Sequence, residues 1–369
     1  MTAFLAIVED TWRQSKQQVV FFILAGVLVL TAIGFLAGFK VKNNAEGKQV
    51  MSLPFGSDEE AGLGLDFLWD AKYRELVHQE LKHDEALRRK REEYEAAQAR
   101  FAELARSGTP GDEALTAANN AIDDKRRELK DLQTSQLEAA QEVVDQRTKG
   151  LSEMDKGVEI WLHWTVWLLF KFSMWLFIAG CAGYFPGMLA AGAVDVLVSK
   201  PISRAQLFFG KFLGGMVLYS ALLLAVYLLV FVGVGIRTGV WHGRLFAGIP
   251  LTIFSAALLY SMVAWIGVFT RSTAFAIIIG YLFYFIIDTF VGWTQRIGEI
   301  GELAESFSTV KAVSDFAKIA FPGFGRLEDA ASAAVLNVPI LEFQPFLVAT
   351  LWMAACLGTA YWRFQKLDF

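Results

Sequence analysis

Only two cysteines, four histidines and eight prolines occur in the 369 residues of this chain. Cys181 and Cys356 both fall in strongly apolar stretches, so neither a disulfide framework nor a thiolate metal site is expected. The histidines have no ligand spacing, which points the same way. Also missing is G-x-x-x-x-G-K-[ST] or any other phosphate-cradling loop. The nearest stretch, GKFLGG at 210–215, has no glycine-rich turn before it, so the chain is not expected to hydrolyse a nucleoside triphosphate itself. No Ser/His/Asp or Cys/His arrangement is present, and no intrinsic catalytic site is expected. The paired acids Glu59-Glu60, Asp84-Glu85, Glu92-Glu93 and Asp123-Asp124 all lie in one hydrophilic region and read as solvated charge. A net charge of −4 gives no reason to expect nucleic acid as a partner.

Charge itself is absent over long runs. None falls between Lys16 and Lys40, Lys211 and Arg237, Arg244 and Arg271, or Glu342 and Arg363. A helix crossing the hydrocarbon core needs about 20 apolar residues at about 1.5 Å each, and these runs suffice. Two more, 160–185 and 273–295, hold one Asp, Glu, Lys or Arg apiece, Lys171 and Asp288. With a mean hydropathy of +0.39, the expected fold is an all-α membrane protein with six transmembrane helices, near 17–39, 160–185, 207–236, 246–270, 273–295 and 343–362. The first run is too long for the apolar core of a cleaved leader and follows Glu9 and Asp10, so residues 1–39 are read as an interfacial amphipathic helix followed by the first span.

The missing charge is concentrated in residues 40–158, a hydrophilic insertion between spans one and two. Tyr73, Glu80, Leu87, Tyr94 and Phe101 follow a seven-residue repeat. So do Leu115, Ile122, Leu129, Gln136 and Val143, with Ala118, Leu132 and Ala139 on the neighbouring row. RSGTPGD at 106–112 separates the two series, and the pattern predicts an antiparallel coiled-coil hairpin. Residues 43–65, rich in Gly, Ser and Asn, are expected to be irregular. The remaining 159–369 hold spans two to six, with short surface helices expected in 297–341.

One stretch interrupts the apolar core. AGAVDVLVSKPISRAQLFFGKFLGG, 191–215, turns polar at Ser199-Lys200-Pro201 and then strongly apolar again. Tyr184-Phe185-Pro186-Gly187 should break span two before it. Pro201 suits the first position of the next helix and Ser199 its cap. The segment 186–211 therefore reads as a short helix–turn–helix at a membrane face, with Lys200, Arg204 and Lys211 aimed at water or at an acidic partner.

Its residues resemble the signature loop of permease subunits of ATP-binding-cassette exporters of the second type, the group that includes the nitrous-oxide-reductase maturation permease. Gly192, Asp195, Leu197, Ser199, Pro201, Ser203, Arg204, Gly210 and Lys211 fit that pattern over about 25 residues. MLAA at 188–191 stands where members often carry an Arg-Glu pair. The resemblance implies that Gly192, Asp195, Leu197, Ser199, Lys200, Pro201, Ser203, Arg204 and Lys211 form a cytoplasmic loop contacting a separate ATPase subunit. It also implies a second permease copy or paralogue, and ATP and Mg bound by the partner and not by this chain. The expected location is the bacterial inner (plasma) membrane, with both termini cytoplasmic and the hairpin outside. Charge alone does not set this orientation, since Arg237, Arg244, Arg296, Lys311, Lys318 and Arg326 would lie outside. The blander reading of the loop is a positive-inside turn that only fixes topology.

Lys171 and Asp288 lie at comparable depth and form a candidate intramembrane charge pair; the alternative is that Lys171 snorkels outward and Asp288 stays hydrated. Trp161, Trp164 and Trp167 read as an interfacial belt. Three functions are consistent with this reading. The first is a transporter permease, surrounded by membrane lipids and driven by a partner ATPase, that exports or extracts a substrate the sequence does not identify. The second is ATP-driven mechanotransmission through the hairpin to an envelope protein. The third is a receptor or scaffold without an ATPase.

Overall fold

The protein is described by a computed structural model. Its described residues are 11, 19–43, 47–52, 65, 68–69, 72, 85–106, 112–189, 203–287, 289–290, 292, 316–317, 319–336 and 343–367. Most of these are helical. Glu153–Met188, Arg204–Thr238, Gly243–Thr270 and Gln344–Gln365 are long and apolar enough to cross a membrane, and Ala25–Ala37 and Thr273–Ile286 are shorter apolar helices. The expected spans near 17–39 and 273–295 correspond to these two shorter helices.

In chain order, α1 is Val19–Ala37, followed by strands β1 (Lys40–Asn43) and β2 (Gln49–Ser52). Helices α2 (Glu85–Arg106) and α3 (Asp112–Thr148) precede α4 (Glu153–Cys181) and the five-residue α5 (Tyr184–Met188). Then come α6 (Arg204–Thr238), a 3-10 turn (Gly243–Ala247), α7 (Gly248–Thr270) and α8 (Thr273–Leu282), which runs into a π-turn at Phe283–Ile287. Helix α9 (Phe324–Ala333) continues as a 3-10 turn to Leu336, and α10 is Gln344–Gln365.

Local chemistry sets the boundaries. Ser152 and Asp155 form a reciprocal capping box that starts α4, and Ser203 and Gln206 do the same for α6. Gly239, at φ 76°, ends α6 in the left-handed conformation that costs glycine least. The start expected at Pro201 falls three residues later, because Ser203 is extended and acts as cap. Span two is interrupted at Ala182-Gly183, just before the Pro186 turn, and resumes as α5.

Helix α7 is the most enclosed of the four long apolar helices. Thr252, Ser255 and Ser261 are buried in it because each hydroxyl donates to a carbonyl of its own helix, those of Gly248, Leu251 and Leu258. Both cysteines are buried free thiols.

Two expectations are corrected. Part of the stretch expected to be irregular is an antiparallel strand pair, Lys40 opposite Ser52 and Asn43 opposite Gln49. Val50 and Met51 are buried, and Met51 packs so closely on α4 that a Cβ at Gly157 would lie 2.9 Å from its own. Burial on both faces of β2 outweighs the weak strand propensity of the flanking residues. The second correction concerns α9, which is not a surface helix. Phe324, Leu327, Glu328, Ala331 and Ser332 are buried. It runs antiparallel to α4, with Glu328 against Lys171 at 3.2 Å and His163 Nδ1 3.0 Å from the Ser332 carbonyl. It therefore dips from the hairpin end of the bundle to the middle of α4.

Helices α2 and α3 pack on each other, and the ion pairs Lys90–Glu128 and Lys125–Glu93 (3.1 Å) fix them as antiparallel. The less exposed positions advance by four and three: Lys90, Tyr94, Ala97, Phe101 and Leu104 on one arm, and Leu115, Ala118, Ile122, Lys125, Leu129, Leu132 and Gln136 on the other. Lys90 and Lys125 occupy seam positions and are tolerated there through Glu93 and Glu128. Hydrogen bonds from Lys125 and Lys90 hold the Glu93 and Glu128 carboxyls below their ordinary 4.5, and Glu128 and Glu93 hold both ammonium groups above 10.5. Depressed carboxyls stabilise above their unfolded value and raised lysines below theirs. The network is therefore complete between about pH 4.5 and 10.5 and is lost beyond either side. Lys125→Glu should place three carboxylates together. Hydrogen exchange of 85–106 and 112–148, corrected for intrinsic rates, should then accelerate at pH 7 while α7 stays protected. Wild-type exchange there would sink the register role of the network.

Candidate functional site

Of the loop residues singled out by sequence, Gly192, Asp195, Leu197, Ser199, Lys200 and Pro201 lie outside the described residues, as does Asp288. Ser203, Arg204 and Lys211 are described, and each has a local role. The Ser203 hydroxyl accepts from the Gln206 amide at 3.2 Å, fixing the first turn of α6. Arg204 Nη1 donates to the carbonyls of Gln365 at 2.6 Å and Leu367 at 3.0 Å. Those oxygens belong to the last turn of α10 and its exit, which have no partners within the helix. Lys211 is buried, with its ammonium 5.8 Å from the Tyr184 ring, and is enclosed in the bundle instead of reaching toward water.

Above this turn sits a clasp of aromatic rings. Tyr260 of α7 stacks on Phe212 of α6 at 4.8 Å and 12°, and meets the rings of Phe177, Tyr184 and Phe185. Phe208 of α6 touches Phe185 of α5 and both Tyr361 and Phe364 of α10. Close backbone approach makes this possible. A Cβ at Gly215 would lie 2.8 Å from the Tyr260 ring, and one at Gly267 would lie 3.0 Å from Pro186. The two ends of the loop, α5 and α6, are thus joined through rings to α7 and α10. Aromatic pairs of this kind contribute about 0.5–1.5 kcal/mol each beyond burial. Sequence periodicity missed the clasp, since its members come from five separate helices. A cavity beside it, bordered by Leu28, Ser173, Phe177, Tyr219 and Leu222, measures about 30 Å³. That is room for about one water.

Of the expected amphipathic helix, only Thr11 is described; it is buried and would lie 2.8 Å from a Cβ at Gly214. It lies at the same end of the bundle as Arg204 and Gln365.

The opposite end holds a second polar cluster that sequence reading did not find. Glu159 is buried. It accepts from Trp69 Nε1 at 2.8 Å, and it lies 3.8 Å from His242 Nδ1 and 4.0 Å from Arg244 Nη1. His242 Nε2 is 3.3 Å from the Val335 carbonyl, and Arg237 Nη2 donates to the Phe39 carbonyl at 2.8 Å. The cluster ties the insertion, through Trp69, to α4, to the turn between α6 and α7, and to the end of α9. Lys171, in the middle of α4, is partnered by Glu328, which sequence reasoning passed over because it lies in a mixed segment.

Comparison of the chain with curated proteins and with solved structures gives no match. A family model described as "ABC-2 family transporter protein" matches residues 118–369, from within α3 through α10. The loop, the clasp and the four long apolar helices all fall inside that match, and the chain belongs to the ABC-2 family of transporter proteins.

Proposed function

We propose that this chain, a multi-pass permease subunit of an ABC transporter by family, exports or extracts a substrate by transmitting the strokes of a separate ATPase. ATP and Mg bind in that partner. The loop 190–202 docks on it, and the clasp passes its displacement to α4, α6, α7 and α10. The observation that carries this reading is the pair of hydrogen bonds from Arg204 to the end of α10, through which a displacement at the start of α6 would reach the C-terminal segment. Six crossings in an inner membrane, both termini cytoplasmic and the hairpin outside complete the proposal. Thr11 lies against Gly214 of α6 and the Gln365 carbonyl accepts from Arg204 at the start of the same helix, which supports placing both termini on one side, and the signature stretch supports a place near the nitrous-oxide-reductase maturation group. The test is a photocrosslinker at Lys200 or Arg204 in cells. Lys200 should give a strong adduct to the ATPase, and Arg204, turned toward α10, a weak one. Absence of any ATPase adduct from either position would overturn docking.

A second reading is favoured by the Glu159 cluster. It bonds Trp69 of the insertion to Glu159 of α4, which in turn meets the turn between α6 and α7, and the heptad seam of α2 and α3 supports a coiled-coil lever acting on an envelope protein. In that reading the same ATPase moves the lever without moving a solute.

A further inference from the structure

Lys171 is the nineteenth residue of the 36-residue stretch Glu153–Met188, counting 171 − 153 + 1. That places it roughly 27 Å along the helix, at its middle. Its carboxylate partner is buried, with Glu328 3% exposed, while the Lys171 side chain is 42% exposed. The ammonium lies between the Glu328 carboxylate at 3.2 Å and the Trp167 ring at 5.0 Å. A pair serving only to neutralise itself would hide both groups, since a half-covered cation at this depth is costly. Here the carboxylate anchors the cation from inside, while the Lys171 side chain as a whole stays partly open to the surroundings of the bundle. Trp167 and Trp175, four residues to either side, share that face and are 40% and 41% exposed. Phe285 meets Trp175 edge-on at 4.9 Å, and Tyr281 Oη donates to the Trp175 carbonyl at 2.9 Å. These contacts hold the aromatic wall in place.

We propose that this face is a lateral binding site for an amphiphilic anion taken from the bilayer, a lipid with an acidic head group. Lys171 pairs with the head group and the indoles pack on the chains. As the class of cargo, this rests on the permease reading above. As a binding site, it stands by itself.

The test reconstitutes the permease in phosphatidylcholine vesicles carrying a minor share of phosphatidylglycerol, with dibrominated acyl chains placed on one lipid or the other to quench nearby tryptophan. The emission lost in the Trp167→Phe/Trp175→Phe variant isolates these two reporters. Their quenching should favour phosphatidylglycerol over phosphatidylcholine by about fivefold. Lys171→Arg should keep that preference. Lys171→Gln/Glu328→Gln, which leaves no unpaired carboxylate, should abolish it. Equal quenching by both lipids, or an unchanged preference in the double variant, would overturn the site. No quenching by either would assign the face to a second copy of the chain. If an ATPase co-purifies and the preference is absent, only this inference fails. If the preference is present and no ATPase associates, the permease reading fails and the site remains.

Discussion

Arg204→Ala should cut ATP-driven turnover of the reconstituted complex roughly tenfold, while the permease stays folded. The side chain donates to the carbonyls of Gln365 and Leu367. Charge-assisted hydrogen bonds contribute about 1.5–3 kcal/mol when shielded and less at an accessible site such as this. A net loss near 1.4 kcal/mol corresponds to a factor of about ten. The loss falls on coupling more than on the fold, because Phe364 and Leu367 remain buried against the bundle after the guanidinium is gone. Arg204→Lys should recover only part of the effect, since both bonds come from the planar, pre-oriented Nη1 group and an ammonium on a flexible stem is not held toward two acceptors, though it still favours the negative end of α10. The measurement is ATP hydrolysis and transport by the reconstituted complex, alongside the thermal midpoint of the permease alone. Full coupling in the alanine variant would remove Arg204 from the transmission path.

Glu159→Ala should be the most destabilising of the substitutions considered, by about 3 kcal/mol. It takes the acceptor from the Trp69 indole N–H and a carboxylate from beside His242. Trp69 is 1% exposed, so water does not readily replace that acceptor. Arg244, 4.0 Å away with its side chain half exposed, adds little. Glu159→Gln keeps an acceptor oxygen for the indole and should cost only about 1 kcal/mol. Thermal unfolding in detergent distinguishes the two. Hydrogen exchange in 85–106 should be unchanged in both, because, among the described residues, that helix contributes none to the buried cluster that holds Trp69 and Val144. An alanine variant as stable as wild type would mean that the insertion is not anchored through this carboxylate, and the lever reading would lose its support.

Some of this architecture was legible in the residues. Charge-free runs announced the long apolar helices, because the cost of an unpaired charge in hydrocarbon leaves few alternatives. The two heptad series announced the α2–α3 pair, and Tyr94, Phe101, Ile122 and Leu129 do fall on its less exposed stripe. Family membership was legible from the signature stretch beginning at Gly192. Other features were not. Strands β1 and β2 are too short to carry a period, and they form because α4 offers a glycine for Met51 to pack on. Helix α9 looks like surface because Arg326, Glu328 and Asp329 interrupt its apolar positions. It is buried because Lys171 meets Glu328 on the side facing α4.

By itself the sequence determined which segments avoid water, where the hydrophilic insertion lies, and that the chain holds no recognisable phosphate-binding loop of its own. Those properties are local, set by composition and spacing along one stretch. Tertiary structure alone decided that Lys171 answers to Glu328, that Glu159 joins Trp69 to His242, and that Arg204 closes the end of α10. A buried charge takes whichever opposite group packing brings within reach, and packing depends on helices far apart in the chain.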